Sequence, residues 1–226
     1  MSIWITGDTH TPHDVSKFHE DRFPEQSNLS KDDYMIICGD FGGVWDGGKH
    51  DATYLQWYEN LPWTTLFVDG NHENFDLLNK FPVVDFCGGN AHKIRDSVYH
   101  LMRGEVFQIG DKTIFAMGGA ASHDKEFRTP GISWWPEEMP SYEEMLRAGS
   151  NLLACGNKVD FVVSHCAPTC IARRINVWYG TDPLTEWFDH MMRQNTYKKW
   201  FFGHYHVDED IDSMHTCLYH DIRQIV

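Results

Sequence analysis

An α/β fold whose strands deliver polar residues to one edge is predicted by three observations. Short apolar runs of strand length recur along the chain: Ile3-Trp4-Ile5, Met35-Ile36-Ile37-Cys38, Leu66-Phe67-Val68, Phe161-Val162-Val163 and Trp200-Phe201-Phe202. Each is followed at once by Asp, Asn or His, in Gly7-Asp8-Thr9-His10, Gly39-Asp40, Gly70-Asn71-His72-Glu73, Ser164-His165 and Gly203-His204-Tyr205-His206. Helical stretches lie between the early runs, the alternation of a parallel sheet rather than of stacked hairpins. In such sheets ligands gather at the carboxyl ends of the strands.

In chain order, residues 14–21, 51–60 and 73–80 read as helices between the first strands. The middle changes character. His92–Arg95, Val98–Leu101, Glu105–Ile109 and Lys112–Met117 are strand-like runs separated by Arg95-Asp96-Ser97, Arg103-Gly104 and Gly110-Asp111. That spacing predicts an antiparallel meander forming a second sheet packed on the first. An irregular insert follows over residues 119–140. Ser141 then opens a helix with Glu144 three residues on, the spacing of a capping box, and Gly156 stops it. Strand 159–163, a helix around 183–193, strand 199–202 and closing strands after Val207 complete the chain. No linker divides it, so residues 1–226 are expected to form one domain.

The totals narrow the function. The chain has 226 residues, 42% hydrophobic and 23% charged, as in ordinary globular proteins, but its 14 His are an excess concentrated near the strand ends. A net charge of −14 disfavours a nucleic-acid partner, because phosphate-backbone affinity needs clustered Lys and Arg. The six Cys show no CxxC pair and are expected to be reduced thiols. There is no basic-then-apolar leader and no run of membrane-spanning length, so the cytoplasm is the expected location and no membrane partner is expected. The sequence carries no signal for oligomeric state.

Two carboxylates, an amide and several imidazoles converge on one edge, enough to hold two metal ions. Singly, each has a structural explanation; Asp40 after Gly39, for example, suits a turn or a helix N-cap. Five such stretches in order, each behind an apolar strand, do not. The mixture of carboxylate, amide and imidazole, without thiolate, suits borderline transition metals such as Mn, Fe or Zn rather than a structural zinc cage.

The ordered set D-x-H, G-D, G-N-H-[ED], an isolated His and G-H-x-H resembles the signature of the calcineurin-like metallophosphoesterase superfamily, filled here by Asp8/His10, Asp40, Asn71/His72, His165 and His204/His206. The resemblance implies a four-layer α/β/β/α sandwich, two packed mixed sheets flanked by helices. It implies that Asp8, His10 and His206 hold one divalent or trivalent ion, that Asn71, His165 and His204 hold the other, and that Asp40 bridges them. It also implies phosphate-ester hydrolysis, mono- or diester, by a hydroxide bridging the two metals. Asp40 and Asn71 are then catalytic through the metals, and His72 acts as acid or transition-state stabiliser. A metal-dependent nuclease and a non-catalytic scaffold of the same fold are the alternatives.

One departure stands out. Protein Ser/Thr phosphatases of this superfamily carry a second Asp and an Arg after Gly-Asp, whereas here Gly43 takes the place of the Asp expected to orient the GNHE histidine. Asp46 and Asp69 are the candidates to replace it. Lys125 and Arg128 in the insert, and Arg173 after the His165 loop, are candidate phosphate contacts. The expected substrate is a phosphorylated small molecule, a nucleotide or a phosphoprotein. Trp134-Trp135 is expected to pack into the core, with a lid or stacking platform for a base or aryl group as the alternative; Trp4, Trp63, Trp178, Trp187 and Trp200 are expected to pack, and Tyr205 to point away from the metals.

Overall fold

The computed structural model describes residues 1–226. The strands are β1 (Ile3–Thr6), β2 (Tyr34–Ile37), β3 (Thr64–Phe67), β4 (Val83–Phe86), β5 (Gly89–Arg95), β6 (Val98–Leu101), β7 (Glu105–Ile109), β8 (Lys112–Met117), β9 (Phe161–Ser164), β10 (Lys199–Phe202), β11 (Glu209–Asp210), β12 (His215–Cys217) and β13 (Ile222–Gln224). The helices are α1 (Lys49–Asn60), α2 (Phe75–Leu78), α3 (Tyr142–Ala154), α4 (Thr169–Ile175) and α5 (Pro183–Gln194). One sheet has the order β13-β1-β2-β3-β6-β5-β4 and the other β11-β12-β10-β9-β8-β7. Within them β1, β2, β3 and β6 run parallel, as do β8, β9, β10 and β12.

Alternation along these strands produces the layers, because successive side chains point to opposite faces. Ile3, Ile5, Ile36 and Leu66 of one sheet meet Phe107, Ile114, Phe161 and Phe201 of the other in a core between the sheets. The intervening Met35, Ile37 and Phe67 face outward onto Leu55 and Tyr58 of α1 and onto Phe18. On the far side Phe115, Val162, Trp200 and Phe202 pack under Leu152 of α3, Ile171 of α4 and Phe188 of α5. The result is the α/β/β/α sandwich. Ser141 and Glu144 form the expected capping box at α3, and Asp182 caps α5 in the same way.

Four local expectations are revised. The middle strands do not form one meander. β5 and β6 pair with each other in the first sheet, β7 and β8 pair in the second, and the chain crosses over at Met102–Gly104. Residues 14–21 contain only a 3₁₀ turn, Val15–Phe18. β4 and α4 were not anticipated; α4 starts directly after Pro168, which fits the first turn of a helix but left little apolar periodicity to read. Trp178 is 89% exposed instead of packed, while Trp63 and Trp200 are fully buried. No helix is long and apolar enough to cross a membrane.

Candidate metal centre and its rim

The loops after β1, β2, β3, β9 and β10 meet at the carboxyl edge of both sheets. Two glycines allow it: a Cβ on Gly70 would sit 2.0 Å from Asp40 Oδ1, and one on Gly203 would sit 2.0 Å from Asp8 Oδ1. The backbone is strained where the side chains converge. Of six non-glycine residues with positive φ, four are His10, Asp40, His204 and His206. Such conformations cost roughly 1–3 kcal/mol each and persist where the surroundings hold them for a task.

Asp40 lies at the middle. Its Oδ2 is 3.1 Å from His10 Nε2, its Oδ1 is 3.4 Å from His165 Nε2, and Oδ1 accepts the His72 backbone N–H at 2.7 Å. On one side, Asp8 Oδ2 lies 3.1 Å from His206 Nε2, and the His10 and His206 rings meet edge to face at 5.1 Å. On the other, Asn71 Oδ1 is 3.2 Å from His165 Nε2, and the His204 ring is 4.9 Å from that of His165. Ligand atoms of Asp8, His10 and His206 lie within 4.8 Å of one another, as do those of Asp8, Asp40 and His165, and of His10, Asp40 and His72. The seven residues expected as ligands are therefore brought together, with His72 beside them.

The donor set fits metal ions on an observation independent of any motif. Asp8 is fully buried, and its Oδ2 faces only the His206 ring nitrogen at 3.1 Å, outside hydrogen-bonding geometry, a costly state for a carboxylate oxygen unless a cation faces it. Acidic and imidazole groups also distort one another here. Burial alone would lower His165, but Asp40 and Asp8 raise it to about 10. Burial opposes, and Asp40 outweighs it, in raising His10 to about 9. Burial and the adjacent His165 push His204 down to about 3. The two buried carboxylates thus draw positive charge to one focus, a charge that divalent ions can supply in place of the imidazole protons.

Supporting contacts fix the ligands. Asp14 Oδ2 is 2.8 Å from His10 Nδ1, and the Cys38 carbonyl is 2.8 Å from His165 Nδ1, so each imidazole presents its other nitrogen inward. Asn71 Nδ2 donates to Ser122 Oγ, which leaves its Oδ1 facing the site. Buried Glu73 accepts the Phe41 and Gly42 N–H groups and so pins the Asp40 loop; burial and the nearby Asp40 raise its carboxyl. Asp14 and Glu73 were not singled out from sequence. Asp14 stands four residues after His10 and Glu73 closes the GNHE stretch, so the signals existed.

Neither Asp46 nor Asp69 reaches His72. Asp46 accepts from Gly48 N, and Asp69 is held by Arg103 and His100. Arg128 stands beside His72 instead, as a donor: its Nη1 and Nη2 each lie 3.2 Å from a ring nitrogen of His72, of which a neutral imidazole has one able to accept, and its Nε donates to Asp124 at 2.7 Å. Burial lowers the His72 pKa and Arg128 lowers it further. Of the other rim candidates, Lys125 projects into solvent without a bonded partner, and Arg173 donates to the Tyr179 carbonyl. Trp135 is buried edge-on against Trp45 and donates to Asp76, fastening the insert to α2. Tyr205 accepts from Ala167 N and packs against Phe202, with its ring 5.1 Å from that of His204.

Such a fold, with buried carboxylates and imidazoles converging at one sheet edge, is suited to binding metal ions. The model of the calcineurin-like phosphoesterase family matches residues 1–208, and the chain belongs to that family. Its clustered Asp and His side chains could hold metal ions. No curated protein matches it. A solved structure from Staphylococcus aureus, carrying the provisional description 5′-nucleotidase and complexed with alpha-ketoglutarate, shares 14% identity at a TM-score of 0.48. The match covers 96% of this chain and 48% of that one, so this chain spans about half its length.

Proposed function

We propose that the protein hydrolyses phosphate esters of small molecules or nucleotides at a dinuclear centre, one ion held by Asp8, His10 and His206 and the other by Asn71, His165 and His204. The position of Asp40 carries this reading: its two oxygens face the two halves of the ligand set, as a bridging carboxylate requires. When bound, the ion pair supplies Lewis acidity to a phosphoryl oxygen and lowers the pKa of a coordinated water. Manganese, iron and zinc all suit these donors.

The chain's own groups do the rest. Asp14 and the Cys38 carbonyl hold the His10 and His165 tautomers, so that the ligands need no reorganisation. His72, half-buried at the lip of the ligand set, presents a ring N–H to an oxygen of the ester or its leaving group. Arg128 adds a fixed positive charge beside it, a planar fork suited to a phosphate oxygen pair. Asp124 keeps that fork in place.

The test pairs metal analysis of protein purified without chelator with hydrolysis of p-nitrophenyl phosphate and its bis-ester, with and without added manganese. About two metal equivalents per chain together with turnover support the reading, and the preferred ester separates mono- from diesterase. No metal uptake and no hydrolysis after reconstitution would overturn it in favour of a scaffold.

A further inference from the structure

A cavity of about 150 Å³ opens beside the candidate metal centre, bounded by His123, Tyr179, Thr181, Tyr205 and His204, over a floor of Ala120, Cys166 and Ala172. His204 belongs to both places. Its ring lies 4.9 Å from that of His165 on the metal side and 5.8 Å from that of His123 on the cavity side. His123 and Tyr179 come from different segments, the insert and the loop after α4, and their rings are nearly parallel, 15° apart with centroids at 6.4 Å. Tyr179 also packs on Tyr205 at 5.0 Å, and its backbone carbonyl accepts from Arg173 Nε, which ties this loop to α4. The metal chemistry of the protein uses none of these aromatic faces.

We infer that this cavity is the subsite for the alcohol side of the ester, and that it selects a single aromatic ring stacked on Tyr179 and His123. The inference rests on the phosphoesterase reading and deepens it. Size sets the selection: a cavity of roughly 150 Å³ admits one benzene-sized ring, so a purine or a peptide segment is too large to be enclosed. Chemistry sets the preference for aromatics. The walls are π faces, the floor carries small side chains, and the one carboxylate of the lining, Asp182, is turned onto the start of α5, where it accepts from Leu184 N and Thr185 N. Stacking of a ring on aromatic side chains contributes about 1–3 kcal/mol, which corresponds to a roughly 5- to 150-fold preference over a ring-free ester. A pyrimidine nucleotide and an aryl phosphate such as O-phosphotyrosine share this chemistry.

Two measurements on the manganese-loaded full chain test it. In the first, kcat/KM is compared for CMP, O-phosphotyrosine, AMP and glycerol 3-phosphate. The ring-bearing one-ring esters are expected to exceed glycerol 3-phosphate by at least about 5-fold, with AMP below CMP. Whichever of CMP and O-phosphotyrosine leads identifies the source of the ring. In Tyr179→Ala the ratio of one-ring to ring-free ester should collapse toward unity, through KM more than kcat. Tyr179→Phe should retain the ratio, and so should Trp178→Ala, whose side chain is exposed outside the cavity. A ratio near unity in the wild type, or one untouched by Tyr179→Ala, overturns the inference. In the second, phenylphosphonate and methylphosphonate are titrated by calorimetry, which reads the cavity even if no ester turns over. Tighter phenylphosphonate binding that Tyr179→Ala abolishes supports the subsite without hydrolysis, and equal binding of the two refutes it. Absence of turnover on every ester would count against the phosphoesterase reading alone.

Discussion

At the floor of the site, Asp8, Asp40, Asn71 and His165 are each no more than 5% exposed, whereas at the rim Phe127 and Trp178 are 89% exposed and Lys125 has no bonded partner. Floor residues sit in loops of a few residues between a sheet strand and a neighbouring ligand. They are held by left-handed backbone at His10, Asp40, His204 and His206, and by buried bonds from Glu73, Asp14 and Cys38. The rim consists of the insert after β8 and the loop after α4, fastened at a few points: Trp135 on Asp76, Arg128 on Asp124 and His72, Tyr179 on Arg173 and His123. Preorganisation is thus concentrated where ions must be gripped, and adaptable contacts lie where a substrate must enter.

That contrast fails if floor substitutions act mildly. Asp40→Asn removes charge from the residue shared by both halves of the ligand set. Metal content is expected to fall below that of the wild type, with activity down on the order of 10⁴-fold, the scale seen when one member of a catalytic unit is removed. Elemental analysis and turnover measured together check it; full metal occupancy in the variant would remove Asp40 from the bridge. His72→Ala should keep the metals and lose about 10²- to 10⁴-fold in kcat. Because His72 lies with His10 and Asp40 in one potential ligand group, loss of metal in a folded His72→Ala protein would make it a ligand instead.

Smaller effects separate the supports of the floor from the charges of the rim. Asp14→Ala leaves His10 Nδ1 without its carboxylate and should weaken metal binding by about 10- to 100-fold, read by competition with a chelator. Arg128→Ala should leave metal affinity unchanged and act on the substrate. A charge-assisted bond contributes about 1.5–3 kcal/mol, so KM for a phosphate ester is expected to rise roughly 10- to 100-fold. A variant that loses metal and substrate affinity together would show that floor and rim are not separate devices.

The floor was legible because two signals coincide there. An apolar run of strand length fixes where a strand ends, and a polar residue directly after it has nowhere to go but the sheet edge. The same runs indicate an α/β sheet, whereas the four-layer sandwich is implied by the family resemblance. The crossing between sheets at Met102–Gly104 was hidden, because β5, β6, β7 and β8 read alike as hairpin strands and only tertiary pairing assigns them to sheets. At the rim, local sequence carries little information about contacts. Arg128 was visible as a cation but its seat on His72 was not, since the two residues are 56 apart. Residue type alone favours packing for Trp178, but nothing in a loop sequence distinguishes a buried Trp from an exposed one. Glu73 and Asp14 act through other residues, and their roles appear only once those residues are placed.

The smallest expected effect lies at the opposite end of the strands that carry Asp8 and Asp40. There Asp33 accepts hydrogen bonds from Ser2 N and Oγ with one oxygen and from Ser30 N and Oγ with the other, tying the start of β1 to the start of β2. Burial would raise its carboxyl, but the bonds from Ser30 and Ser2 outweigh it and lower the pKa from 3.8 to about 2. The sign follows from linkage. A carboxyl depressed in the folded state contributes stability above its unfolded pKa and loses that contribution as pH falls through the folded value. Asp33→Asn should therefore lower the thermal midpoint at pH 7, and the gap from wild type should narrow between pH 4 and pH 2. Metal-free protein is the right sample, since acid releases ions from the floor and would mask the difference. A gap that stays constant across that window would mean that Asp33 acts through its shape alone. It would then leave the carboxyl edge as the only end of these strands where charge matters.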